Sequence, residues 1–315
     1  MDEPVALSVQ QYMALQTIQI IKYSIILKTF LRPEKLDKCL QSISKLTIKP
    51  EKVVIGDDGR PTAEKTKIYE KYKKIMNLEV VELEFDAGIS RARNEGFIRT
   101  DTDYILLIDD DHYLPSNIYE IKEILDENPE IGGVSPFWEE NGEVYCEAGD
   151  LKLGKWVIKG IFEKKEPRRT SSGMGFFIYD FIPNSALFRR ECLTDYSWDD
   201  FFIIGGEHAD FYLTHKKMGK WKFAVTPDYI AIHDPKTSNI EYEQNRHSRN
   251  KINRSMKYLA KKHNIKGFIY DGCYIPKKQP LMKKLKNFFS KKILPHSLWW
   301  YIVRNDIWYN LKKFL

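Results

Sequence analysis

Residues 103–115 read DYILLIDDDHYLP. An apolar run of strand length, Tyr104 to Ile108, stops at three consecutive carboxylates, Asp109, Asp110 and Asp111. Like charges this close repel, and folding alone gives little reason to stack them at a strand end. Paired Asp side chains there make a hard oxygen site suited to Mg2+ or Mn2+. Such an ion keeps open positions that phosphate oxygens can take. The bland alternative is a solvated loop, or a helix cap ahead of Leu114-Pro115-Ser116-Asn117.

The chain upstream has one repeating texture. YSIILKTF (23–30) reads as a strand. PEKLDKCLQSISKL (33–46) reads as a helix, with Leu36, Leu40, Ile43 and Leu46 at helical spacing and Pro33 in the first turn. KVVIGDD (52–58) is a second strand, followed by a helix near 62–75, a strand at 78–85, a helix near 89–99 and the strand 104–109. Strands alternating with helices predict an α/β domain with a mostly parallel central sheet flanked by helices on both faces. Ligands of such sheets gather at the carboxyl ends of the strands, where Asp57, Asp58 and Asp109–Asp111 all fall.

After residue 131 the texture changes. GGVSPFW, EVYCEAG and KWVIKGIF look like shorter, partly antiparallel strands. Residues 171–193 suit a strand and a tight turn, a helix is expected near 207–218, a strand pair over 220–234, and helices from 239 onward. The division this implies is an N-terminal segment 1–21, an α/β domain 22–235 and a helical, basic extension 236–315.

Composition sets bounds. The 315 residues are 43% hydrophobic and 30% charged, with a net charge of +6, an ordinary globular balance that does not point to disorder. Four cysteines, Cys39, Cys146, Cys192 and Cys273, stand far apart without metal-ligand spacing, which fits unpaired thiols in a reducing compartment. No run approaches the roughly 18 apolar residues of a membrane span. The N-terminus opens on acidic residues and lacks an apolar signal core. The expected location is the cytoplasm, with the cytosolic face of a membrane as a peripheral site.

ILKTFLRPEKLDKCLQSI, VVIGDDG, DAGISRARNEGF, YILLIDDDHYL, PNSALFRREC and GGEHADFYLTHKKMG, followed by IAIHD, come in an order that resembles family 2 glycosyltransferases of the GT-A, Rossmann-like fold. The likeness covers roughly residues 22–235. KTFLRPEKL, GISRARN, LLIDDDH and the GGEH segment look most like the β-1,4-N-acetylgalactosaminyltransferase branch, and the GGE segment with a downstream His also looks like β-1,4-galactosyltransferases. The resemblance implies a UDP-sugar donor, a divalent metal, inversion at the anomeric carbon and an enzyme of hexosyltransferase or N-acetylhexosaminyltransferase type. The acceptor it implies is a glycan or a glycolipid.

Carried over by position, Thr29 and Arg32 face the nucleotide. Asp57 and Asp58 read uracil and ribose, since a carboxylate can accept the imide N–H. Arg91, Arg93 and Asn94 face the donor, and basic side chains suit a diphosphate. Asp109 and Asp111 match the DxD, with Asp111 the more direct metal contact and Asp109 and Asp110 toward the donor. His233 matches a His that completes the metal site, and a neutral imidazole suits Mn2+. The family commonly has Glu-Asp at the start of the helix after the GG turn, whereas this chain reads Glu207-His208-Ala209-Asp210. The catalytic base is therefore open among Glu207, His208 and Asp210, taken in that order. Glu207 and Asp210 lie three apart, so both are expected to reach one pocket. Trp198, with Asp199 and Asp200 behind it, either forms a stacking platform for an acceptor sugar or packs in the core.

Lys277, Lys278, Lys283, Lys284, Lys286, Lys291, Lys292, Arg304, Lys312 and Lys313 surround two apolar stripes, Leu281 to Ile293 and Trp300 to Phe314. Basic helices with Trp, Phe and Leu on one face suit an anionic membrane surface. A helical cap with a solvated lysine face is the alternative. No recognition motif accompanies the charge, so nucleic acid is not an expected partner. Two rival functions remain: a sugar-nucleotide nucleotidyltransferase, disfavoured by the missing Gly-rich loop after the first strand, and an inactive glycan-binding protein on the same fold.

Overall fold

The computed structural model describes residues 22–160 and 165–271. β1 (Tyr23–Thr29), α1 (Pro33–Ser44), β2 (Lys52–Asp57), α2 (Ala63–Lys73), β3 (Leu78–Glu82), α3 (Ile89–Phe97) and β4 (Tyr104–Asp109) follow one another as the sequence predicts. β1 pairs in parallel with β2 and β4, and β2 in parallel with β3. Alternate residues of β1 enter different cores: Ile25 and Leu27 pack with α1 and α2, and Ile26 packs on the opposite face. Both faces being buried explains why these strands read as continuous apolar runs. Gly56 admits the backbone of α3, because a Cβ there would lie 2.7 Å from the carbonyl oxygen of Ala92.

The second half adds β5 (His112–Tyr113), a short 3-10 turn with α4 (Lys122–Glu127), β6 (Ile131–Glu140), β7 (Glu143–Tyr145), β8 (Asp150–Lys152), β9 (Trp156–Gly160), β10 (Arg168–Arg169), β11 (Gly175–Tyr179) and β12 (Leu187–Arg189). Then come α5 (Arg190–Asp195), α6 (Glu207–Met218), β13 (Lys222–His233), α7 (Ile240–Arg246), α8 (Arg249–His263) and β14 (Gly267–Asp271). The main sheet runs β10-β11-β13-β6-β12-β4-β1-β2-β3. β12 is antiparallel to both β4 and β6, so the sheet is mixed beyond β4.

Two expectations change. The strand pair expected over 220–234 is a single strand, Lys222–His233, with a register shift between Thr226 and Ile230, where Pro227 brings no N–H to the ladder. The stretch after 239 is not all helix: β14 pairs in parallel with β9 and extends a small sheet with β8. Residues 240–271 belong to the same compact unit as residues 22–235. Cys39 and Cys192 are buried free thiols, and Cys146 is buried as well. Among the described residues no helix is long and apolar enough to cross a membrane. The N-terminal segment 1–21, Cys273 and the basic stretch 277–315 lie outside the described residues.

Candidate active site

The carboxyl ends of β1, β2 and β4 open onto a cavity of about 470 Å3. Its walls include Arg32, Asp58, Asp109, Asp110, Asp111, Glu207, His208 and His233, so eight of the expected residues meet in one place. The topology brings the last of these in. β5 pairs antiparallel with the end of β13 in a register that sets His112 opposite His233. The Asp234 N–H then donates to the Asp111 carbonyl at 2.9 Å.

Inside the site, arginines balance the three carboxylates. Arg93, fully buried, stands 3.3 Å from Asp109. Arg32 donates from Nη1 to Asp111 Oδ2 at 2.8 Å and from Nη2 to Asp110, and its guanidinium lies 4.0 Å from the ring centre of Tyr242 on α7. Thr29 donates to the other oxygen of Asp110 at 2.8 Å. Burial pushes the Asp109 carboxyl up, but Arg93, His112, Lys28 and His208 outweigh it and hold the group well below the usual carboxylate range. Burial dominates at Asp110 and, with the charge of Asp111, raises it against the pull of Arg32.

Asp111, His112 and His233 place one ligand atom each within 4.8 Å of one another. The two imidazoles are not equivalent. His233 contacts Glu140 Oε2 through Nδ1 at 3.1 Å and Tyr145 Oη at 2.8 Å, which places the proton on Nδ1 and the lone pair on Nε2, toward Asp111. This is the support a metal-bound His receives from a carboxylate behind it. His112 is held the other way: its Nδ1 accepts the Asp109 backbone N–H at 3.1 Å and lies 2.7 Å from Ser185 Oγ. Burial pushes His112 down to about 4, keeping it neutral. One carboxylate and one correctly oriented imidazole fit a divalent ion of the Mn2+ or Mg2+ kind. Asp109, expected as a ligand, turns instead to Arg93.

Glu207 opens α6, and the preceding glycines explain how. Gly205 and Gly206 have φ of 74° and 91°, a left-handed pair that residues with a Cβ adopt poorly. The turn they make leaves Glu207 buried with Oε2 unpartnered. His208, half-buried, stands 3.5 Å from Glu207 Oε1, and burial lowers its pKa despite that carboxylate. Asp58 accepts the Gly88 N–H at 2.9 Å and pairs with Lys28 at 3.1 Å.

Other expected residues sit elsewhere. Asp210 points away from the cavity: it receives His263 at 2.7 Å, Lys262 at 3.0 Å and the Tyr196 hydroxyl. The three-residue spacing does not bring it beside Glu207, because α8 holds it through Lys262 and His263. Asp57 is occupied by Lys65 at 2.6 Å, Tyr69 at 2.7 Å and the Gly59 N–H at 2.9 Å. Thr29 lies beneath Asp110, outside the cavity wall. Asn94 bonds the Trp198 carbonyl at 2.6 Å and Asp200 at 2.7 Å, bracing that loop. Arg91 is exposed and pairs with Glu95. Trp198 is buried and stacks on Phe211 at 5.4 Å, so it offers no open face to a sugar. Asp199 is taken by Lys262 and Tyr258.

The sequence reading did not assign roles to His112, Glu140, Tyr145, Asn184, Tyr242 or Tyr270, which line or support this cavity. Adjacency to the carboxylate run was the one signal for His112. The others come from segments read as sheet filler or as a separate extension.

The profile of glycosyl transferase family 2 matches residues 24–196, more than half of the chain, and the chain belongs to that family. It is 29% identical to the UDP-Gal:alpha-D-GlcNAc-diphosphoundecaprenol beta-1,3-galactosyltransferase of Escherichia coli over 48% of this chain and 51% of that one. The match thus spans about half the length of that relative. A mannosyltransferase of Pyrobaculum calidifontis, solved with GDP-Man and Mn2+, superposes with a TM-score of 0.50 at 13% identity, covering 76% of this chain and 64% of that one. S. aureus TarS 1-349 with UDP-GlcNAc gives a TM-score of 0.49 at 18% identity, with 86% and 73% covered.

Proposed function

We propose that this protein is an inverting, divalent-metal-dependent glycosyltransferase that moves a hexose or N-acetylhexosamine from a UDP-sugar to a hydroxyl of a glycan or lipid-linked glycan. One observation carries the reading: a single cavity holds Asp111 facing the supported Nε2 of His233 together with Glu207, whose buried Oε2 has no partner. A bound divalent ion would be held by Asp111 and His233 and would neutralise charge on the leaving diphosphate. Asp58 accepts the uracil imide N–H. Arg32 and Lys28 line the path of the diphosphate. Glu207 takes the proton of the acceptor hydroxyl while its oxygen attacks the anomeric carbon and the bond to diphosphate breaks. His208 is the second candidate for the base.

The β-1,4 branch resembled by the motifs and the β-1,3-galactosyltransferase among the relatives differ in linkage and agree on a β-glycosidic product from a UDP-sugar. The lysine-rich sequence 277–315 supports a peripheral membrane contact near a lipid-linked acceptor. The full chain is then expected to bind anionic vesicles better than neutral ones.

The test is thermal stability with nucleotides and Mn2+. A ligand that binds only the native state must raise it. UDP is expected to give a larger shift than ADP or GDP, and metal-dependent UDP release is expected from at least one UDP-sugar. Equal shifts with all three nucleotides would remove uracil reading by Asp58.

A further inference from the structure

One wall of the cavity takes no part in these steps. Phe181, Asn184, Glu147 and Tyr270 line it. Tyr270 lies on β14, opposite Lys159 of β9, and is 52% exposed. Phe181 meets its ring edge-on at 5.9 Å and Phe268, which is 2% exposed, packs at 4.9 Å. An exposed ring braced by buried rings is a rigid apolar plate.

Asn184 follows Pro183 in the turn between β11 and β12 and is 2% exposed. Both its amide nitrogen and its amide oxygen are buried without a partner. Such a group lowers stability unless a ligand satisfies it. Its neighbour Ser185 touches His112, so the amide sits one residue from the acidic cluster.

We propose that Tyr270, Phe181 and Asn184 form the acceptor subsite and that the group it takes is a pyranose ring. The proposal rests on the glycosyltransferase reading and narrows it. A pyranose has an apolar C–H face and a polar hydroxyl edge. Tyr270 covers the face, and the Asn184 amide supplies a donor and an acceptor to adjacent hydroxyls. Glu207 lines the same cavity, and its unpartnered Oε2 is the group that takes the proton of the attacking hydroxyl. Trp198 takes the core alternative, with its ring packed against Phe211, and leaves this role to Tyr270.

The experiment uses the full chain and its Tyr270→Ala, Tyr270→Phe and Asn184→Ala variants. Stabilisation by UDP with Mn2+ is measured first. Binding of methyl glucoside, methyl galactoside and methyl N-acetylglucosaminide is then measured by saturation-transfer NMR with UDP and Mn2+ present. The wild type is expected to bind at least one glycoside. Tyr270→Ala and Asn184→Ala are expected to weaken that binding about tenfold or more, with the UDP shift retained, while Tyr270→Phe binds as the wild type does. Asn184→Ala is expected to melt no lower than the wild type, because an unpartnered buried amide is gone. The proposal is overturned if the variants bind glycosides normally, if they lose the UDP shift instead, or if the wild type binds no glycoside. Absence of any UDP shift in the wild type overturns the glycosyltransferase reading, and the subsite with it.

Discussion

His233 presents Nε2 to Asp111 Oδ2 at 3.8 Å, too far for a hydrogen bond and close enough for both atoms to share one ion. Behind the ring, Glu140 stands 3.1 Å from Nδ1 and fixes the tautomer. Asp111→Asn is therefore expected to abolish Mn2+ binding without unfolding the chain. Glu140→Gln, which touches no ion, is expected to weaken Mn2+ by about 10–100-fold through the tautomer alone. Titration calorimetry separates the two. Unchanged affinity in Glu140→Gln would mean that His233 is not a ligand.

Arg32 is bonded to Asp110 and Asp111, with all three side chains nearly buried. Removing one partner of a buried ionic group leaves an uncompensated charge, at a cost of about 3–5 kcal/mol. Arg32→Gln is expected to lose that much stability in chelator and to recover part of it on adding Mn2+, so its metal-induced melting shift should exceed the wild-type shift. Equal shifts in the two proteins would show that Arg32 and the ion do not share these carboxylates.

The sheet was legible because its strands are buried on both faces and its helices carry clear apolar spacing, as Ile25, Ile26 and Leu27 show against α1 and α3. The acidic strand ends were legible for the same reason: position along a parallel strand sets which end faces the ligand. What the sequence hid is tertiary partner choice. Asp57 and Asp58 are neighbours, yet Lys65 and Tyr69 claim one while the other reaches the cavity. Glu207 and Asp210 share a helix, yet α8 claims Asp210 through His263. β14 was hidden because a five-residue strand in a parallel pair depends on β9, far back in the chain. No local period can report such a pairing.

Glu207 and Asp210 give opposite expectations. Glu207→Gln keeps the shape and removes a charge whose Oε2 has no partner, so turnover should fall by two or more orders of magnitude (roughly 10²–10⁴), with donor affinity nearly unchanged. Asp210→Asn strips the partner of Lys262 and His263 in a buried network and should destabilise by about 3 kcal/mol, with little change in the chemistry of the protein that remains folded. Melting curves and single-turnover rates on both variants check this. A stable, inactive Asp210→Asn protein would return Asp210 to the site.

His215 sets a pH dependence that has nothing to do with catalysis. It is fully buried on α6 against Phe211 at 4.5 Å and Phe223 at 5.6 Å. Nε2 donates to the Tyr196 carbonyl at 3.1 Å, and Nδ1 has no partner, so a second proton would sit unpaired in an aromatic core. Burial pushes the group from 6.5 down to about 4, against the smaller pull of that carbonyl. Between those values the unfolded chain binds a proton that the folded chain refuses. Its contribution is complete above pH 6.5, is lost as pH falls toward 4, and is flat below. At about 1.4 kcal/mol per pH unit the loss amounts to about 3 kcal/mol. His112, also lowered to about 4 by burial, adds a loss in the same window. His215→Gln keeps an N–H for Tyr196 and cannot titrate. Urea unfolding at pH 4 to 7 should therefore show a shallower slope of stability against pH in the variant, whatever its absolute stability. Parallel slopes would mean that His215 carries its proton in the folded state.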